Sequence, residues 1–276
     1  MSLFVRILLF LGLRTLATRL YFRNRSASIR RKMARKFDKG QDFRRHTFVS
    51  RNLYEDYTDR EQVSFADAHD SITIKDGVLQ TVSSQDIRDA YLAPTEQTIR
   101  QLMDTITDRP IRVLEIGCGN CINLKLLCDR FGDNVALSGI DISPERLRIS
   151  QEFWGDQLQA DLREASATDL SIFDDGSFDI VFSSCCLEQI PYRIHEAAAE
   201  MIRVSSARTV FVEPTFEYAN TAQKLYTLMA DQCRTLLPEL ELLNATIIDT
   251  RPLNILHTPV NMVGATIVDA AATKQG

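Results

Sequence analysis

The chain predicts a doubly wound α/β sheet, and three observations carry that expectation. First, Val113–Ile116 is an apolar run that breaks into Gly117-Cys118-Gly119 and then changes to helical periodicity through Ile122, Leu124, Leu126, Leu127 and Phe131. Second, Asp141 stands about 20 residues beyond that glycine turn, closing a second apolar run, where such folds place an acid for ribose hydroxyls. Third, short apolar runs alternate with helical patterns down to about residue 270, as β-α units do.

Size and charge bound the rest. The 276 residues suffice for a full core, and 25% charged with 45% hydrophobic residues is ordinary globular composition. Charge is unevenly spread. Residues 1–40 hold eleven Lys/Arg and one acid, Asp38, so a +10 head precedes a −15 body. So acidic a body does not suit general nucleic-acid binding, which depends on neutralising phosphates. Three divisions follow: an apolar and basic segment over 1–40, a linker and hairpin over 41–84, and the main domain over 85–270.

Residues 3–22 are apolar but interrupted by Arg6, Arg14 and Arg19, and a basic run follows. On a helical wheel Val5, Leu9, Leu13, Leu16 and Leu20 share one stripe, with Arg14, Thr15 and Thr18 opposite. This composition fits adsorption to an anionic membrane surface on the cytoplasmic side. It also fits an organellar transit peptide, or a helix docked on the protein's own body or on a partner. Residues 41–70 read as a linker with short helical pieces. Asp76-Gly77 between alternating residues predicts a hairpin over Ser71–Ser83. Helices are expected at 87–92 and 95–107, separated by Pro94.

Beyond the glycine turn the pattern predicts a helix to Phe131 stopped by Gly132, a strand over Val135–Ile140, and a helix from Pro144 to Trp154 capped by Ser143. A weak strand near 162–165 follows, then a turn and strand through Asp174-Asp175-Gly176-Ser177-Phe178-Asp179 to Ser184. A helix over 193–204, a strand over 208–212 ending at Glu213-Pro214, and a long helix over 216–237 closed by Pro238 come next. Two last strands, 245–249 and 264–268, are expected to form an antiparallel edge. Cys118-x-x-Cys121 has zinc-like spacing, but no second such pair follows, so no metal is expected. The adjacent Cys185 and Cys186 read as small residues beside a ligand.

Glu115, one residue before the turn, would repel a pyrophosphate but hold a cationic amino group. The sequence Glu115-x-Gly117-x-Gly119 resembles motif I of the class I S-adenosylmethionine (SAM)-dependent methyltransferases. The phrase from Asp175 to Ile190 resembles the D-G-S-F-D-x-V-x-S-x-x-x-L-E-H-I phrase of small-molecule members in the type-11 group. The resemblance implies a Rossmann-like sheet of seven strands with an antiparallel last strand, covering about residues 85–270. It implies SAM as cofactor, held by Glu115, Gly117, Cys118, Gly119, Asp141, Ile142, Ser166, Ala167, Ser183 and Ser184. It implies methyl transfer to a small-molecule acceptor, a lipid-like or membrane-borne one if the head adsorbs to membrane.

Three departures stand out: Cys121 where a third glycine is usual, Ser166 for an Asp, and Gln189 for a histidine. They keep open a non-catalytic, membrane-anchored interaction protein. A nicotinamide-dependent oxidoreductase shares the glycine turn and Asp141 but has no use for the second phrase. The candidates for a general base are Glu213, His195 and His257, while Tyr91 is expected in a helix covering the cofactor.

Overall fold

The computed structural model describes residues 1–38, 70–230 and 235–274. The linker expected over 41–70 lies outside them except for Asp70, as do His46, His69 and Cys233. Two helices, α1 (Leu3–Phe10) and α2 (Arg14–Asp38), precede a hairpin of β1 (Ser71–Lys75) and β2 (Val78–Val82). Helix α3 (Ser84–Met103) leads to β3 (Ile111–Ile116), α4 (Ile122–Phe131), β4 (Val135–Asp141), α5 (Pro144–Trp154) and β5 (Ala160–Glu164). There follow β6 (Phe178–Ser184), α6 (Ile194–Val204), β7 (Ser205–Pro214), α7 (Thr221–Ala230) and α8 (Leu237–Leu242). Strands β8 (Thr246–Pro252) and β9 (Val263–Asp269) complete the sheet.

The seven strands lie in the order β5-β4-β3-β6-β7-β9-β8, with β9 antiparallel to both neighbours. From β3 the chain winds outward through β4 to β5, then returns to place β6 against the other side of β3. That reversal opens a crevice at the strands' carboxyl ends, where ligands of such sheets bind. Strand alternation fills both faces. Val113, Phe182 and Val212 pack with Leu92 and Ile99 of α3 and Leu124 and Leu127 of α4. Leu114, Val181 and Phe211 pack with Ala197, Ala198 and Met201 of α6. β5 and β8 form the sheet's two edges.

Local chemistry explains most boundaries. Asp76 and Gly77 both adopt positive φ (51° and 79°), the two-residue turn whose twist suits a hairpin. The Ser143 hydroxyl accepts the Arg146 amide at 3.3 Å and Pro144 takes the first helical position. Gly132 ends α4 at φ 51°.

Four expectations need correction. Pro94 does not separate two helices; α3 runs through it. An interior proline costs about 3 kcal/mol, but Leu92, Pro94, Thr95, Thr98 and Ile99 are all buried, and that burial carries the helix across. Pro238 does not close a long helix either. It opens α8, since a first-turn proline has no amide bond to lose. Third, the strand expected over 208–212 is ten residues long, Ser205–Pro214, so Glu213 lies within it and is buried. Fourth, the head is not one helix. Gly12 (φ 73°) breaks it, so a single wheel does not apply. Val5, Leu8, Ala17, Thr18 and Ile29 turn inward, whereas Leu13 and Leu16 are exposed. The Thr18 hydroxyl accepts the Leu79 amide at 2.8 Å, and α2 packs on β2 and α7.

Asp179, at the start of β6, is buried beneath five donors besides the Ser206 hydroxyl. Arg109 gives two bonds (2.6 and 2.8 Å), and Arg112 gives its amide (2.8 Å) and guanidinium (3.0 and 3.3 Å). Burial alone would raise its pKa, but these donors outweigh that and hold it well below the carboxylate range. The cluster ties β6 to the entry of β3. Asp179→Asn is expected to lower stability by about 2–3 kcal/mol, as bonds to a charged group contribute that much, read by urea unfolding; an unchanged midpoint would show that the cluster adds nothing.

Candidate functional site

A cavity of about 520 Å³ opens at the crevice. Its lining includes Glu115, Gly117, Cys118, Gly119, Asp141, Ile142, Ser166, Ala167 and Ser184, nine of the ten residues expected to hold a cofactor. Ser183 is fully buried and does not line it. Tyr91 and His257 line it too, and the Tyr91 hydroxyl accepts the His257 amide at 3.0 Å. His195 does not. It sits at the surface of α6, 3.4 Å from Glu239.

The glycine turn is fixed from several sides. Asp141 accepts the Gly119 amide (2.9 Å) through one oxygen and the Ser143 amide (2.9 Å) through the other. Ser150 donates to the Gly119 carbonyl at 3.1 Å, and the Trp154 indole to the Asn120 carbonyl at 2.9 Å. Gly117 has φ 69°, and a Cβ there would lie 2.3 Å from Cys186 Sγ. Glycine is therefore required both by backbone conformation and by the approach of the loop after β6. Cys121 adopts φ 59°, the left-handed conformation that glycine takes without cost, with its thiol fully buried 3.8 Å from that of Cys118.

Two buried carboxyl groups, Glu115 and Glu213, and the half-buried Glu188 have no cation among their bonds to the described residues. Glu115 accepts Asn123 Nδ2 at 2.7 Å through Oε1, while its Oε2 is buried and unpartnered. Desolvation pushes its pKa well up, against the Asn123 bond. Glu188 accepts Gln189 Nε2 (3.1 Å) and Asn261 Nδ2 (3.4 Å) and is also raised by desolvation. Glu213 lies behind the wall, accepting the Cys186 amide at 3.1 Å. Desolvation first, and then the charge of Glu188, bring it to about 7. Sequence reasoning named Glu115 and Glu213 but gave no role to Glu188, Asn261 or Arg146. The signal for Glu188 was its place in the Leu187-Glu188-Gln189-Ile190 end of the phrase that begins at Asp175.

A carboxyl whose folded pKa rises from 4.5 to about 7 binds its proton more tightly folded than unfolded. Its contribution is present below pH 4.5 and lost as pH rises through about 7, a loss of about 3 kcal/mol. Glu213→Gln is expected to remove that loss, gaining stability over the wild type between about pH 5 and 8.5. Urea unfolding at both pH values reads the difference; one that does not grow with pH would contradict it.

Residues 113–207 match a family model described as a methyltransferase domain. Over 166 residues the chain is 24% identical to norajmaline N-methyltransferase of Rauvolfia serpentina, covering 58% of this chain and 54% of that protein. Over 110 residues it is 27% identical to ajmaline N-methyltransferase of the same organism, covering 38% and 35%. The chain thus spans about half or less of these curated relatives. The SeMet-substituted CurJ carbon methyltransferase superposes with a TM-score of 0.52 at 15% identity, covering 65% of this chain and 54% of that one, a likeness of fold. The glycine turn and the strand order agree with the methyltransferase domain that residues 113–207 match.

Proposed function

We propose that the protein transfers a methyl group from SAM to a small-molecule acceptor. The observation that carries this is Glu115 Oε2, a buried acceptor with no partner in the lining of the cavity. A cationic amino group supplies the missing donor and charge. The other groups fit the same cofactor. The Gly117–Gly119 turn leaves room for an amino-acid moiety, and Asp141 retains lone pairs for ribose hydroxyls beyond its two backbone bonds. Ile142 and Ala167 offer apolar contact to a purine, with Ser166 beside it. The bound sulfonium would supply an activated methyl carbon. The chain's part is to align an acceptor with it and exclude water.

We further assign α1 and α2 to an anionic membrane surface, which would bring the site to a membrane-borne acceptor. No helix among the described residues is long and apolar enough to cross a membrane. Yet Leu3, Phe4, Ile7, Phe10, Leu11, Leu13 and Leu16 are exposed around the Gly12 break, and Arg6, Arg14, Arg19, Arg23, Arg30 and Arg31 are exposed along the same two helices. Exposed apolar side chains on helices that also expose arginines suit an interface of acyl chains and anionic headgroups.

Calorimetry with S-adenosylhomocysteine tests the first reading. Glu115→Gln is expected to weaken binding at least about tenfold. Wild-type affinity should rise with pH, because a raised carboxyl must release its proton to meet an ammonium group. Undetectable binding, or binding indifferent to the substitution, would sink the assignment. For the second, wild-type protein should sediment with phosphatidylserine vesicles, and the combined variant Phe10→Ser, Leu11→Ser, Leu13→Ser should lose at least about tenfold. These side chains are exposed, so the variant spares the buried Val5, Leu8 and Ala17 that deletion of the segment would remove. Equal sedimentation would end that reading.

A further inference from the structure

Strand order divides the cavity into two sides. Asp141, Ile142, Ser166 and Ala167 follow β4 and β5; Cys185, Glu188 and Gln189 follow β6 on the other side of β3. On the β6 side the wall is completed by Tyr91, His257 and Asn261. Among the described residues here, the buried side-chain atom left without a partner is an acceptor. Among the described residues, Glu188 receives two neutral amide donors. Asn261 spends its NH₂ on Glu188, and its Oδ1 is buried without a partner.

Tyr91, Cys185, Cys186 and Glu213 all feel Glu188 as a nearby negative charge, and none is a cation. Arg193 lines the cavity but pairs with Glu196 on its own helix. Arg88 of α3 and His257 are further ionisable residues of the described lining near this end. A phenolate or carboxylate acceptor would meet repulsion here. An ammonium group brings the positive charge and the several N–H donors that the wall lacks.

Resting on the methyl-transfer reading, we infer that the acceptor is an amine, held as its ammonium form by Glu188 and Asn261 and deprotonated by Glu188. The N–H proton passes to the Glu188 carboxylate, which frees the nitrogen lone pair. That pair forms the new N–C bond while the C–S bond breaks with its electrons going to sulfur. The products are a methylated ammonium and a neutral thioether, and Glu188 returns its proton to water. Positive charge thus moves onto nitrogen in the transition state, beside the acceptor oxygens of Asn261 and of the now neutral Glu188 carboxyl. The raised pKa of Glu188 suits a proton acceptor.

The test compares tryptamine with tryptophol, which carries a hydroxyl in place of the amine, by calorimetry on the full chain saturated with S-adenosylhomocysteine. Tryptamine is expected to bind at least about tenfold more tightly near pH 8. Glu188→Gln should abolish that preference while leaving the affinity for S-adenosylhomocysteine unchanged. In wild-type protein the preference should also shrink as acid protonates Glu188, since the amine stays charged throughout. This second arm decides the matter even if the variant does not fold. Equal affinities, no binding of either compound, or a preference that survives both acid and substitution overturns the inference. Failure to bind S-adenosylhomocysteine would instead fail the methyl-transfer reading.

Discussion

The site depends on β6 lying in register beside β3. Their pairing, Val113 with Ile180 through Ile116 with Ser183, is secured at both ends by different means. At the amino ends, Asp179 gathers Arg109 and Arg112 into one buried charge cluster. At the carboxyl ends, Gly117 lets the loop after β6 close on the glycine turn to a separation no Cβ would permit. One contact is electrostatic and remote from the ligand, the other is steric and beside it. Both bring the two loops that build the cavity to one place.

Carboxylates in this chain fall into two physical groups. Asp179 is ionised because donors surround it. Glu115 and Glu213, both buried, and the half-buried Glu188 have few donors, an arrangement that costs stability in a low-dielectric interior. Such costs gather where a ligand is to be met, and here they sit around a single cavity. A cationic cofactor and a cationic acceptor would each relieve part of them, so binding is coupled to the relief of charge stored in the fold.

Much of the sheet was legible in the sequence because it rests on local signals. The glycine turn, the proline after Ser143 and the alternation in Ser71–Ser83 each have short-range causes, and the elements they mark appear within a residue or two. Both proline errors have one source. A proline's effect depends on what its flanks bury and on whether it falls in a first turn, which a local pattern does not reveal. The phrase around Asp179 was legible as a motif but not as two jobs: its first part builds the sheet, and its last part, Glu188, faces the cavity. Asn261 is 73 residues from Glu188, and no spacing rule joins a loop amide to a distant acid.

The sheet's margins carry a different consequence. β5 presents Asp161, Arg163 and Glu164, and β8 presents Asp249, Arg251 and Pro252 with a bulge between Ile247 and Asp249. Charges, a missing amide and a broken ladder all oppose docking of another strand. An open seven-stranded sheet is a template for endless side-by-side growth, and this one is blunted along both borders. Copies of the chain that meet at high concentration therefore meet charged and interrupted borders, which disfavour extension of the sheet.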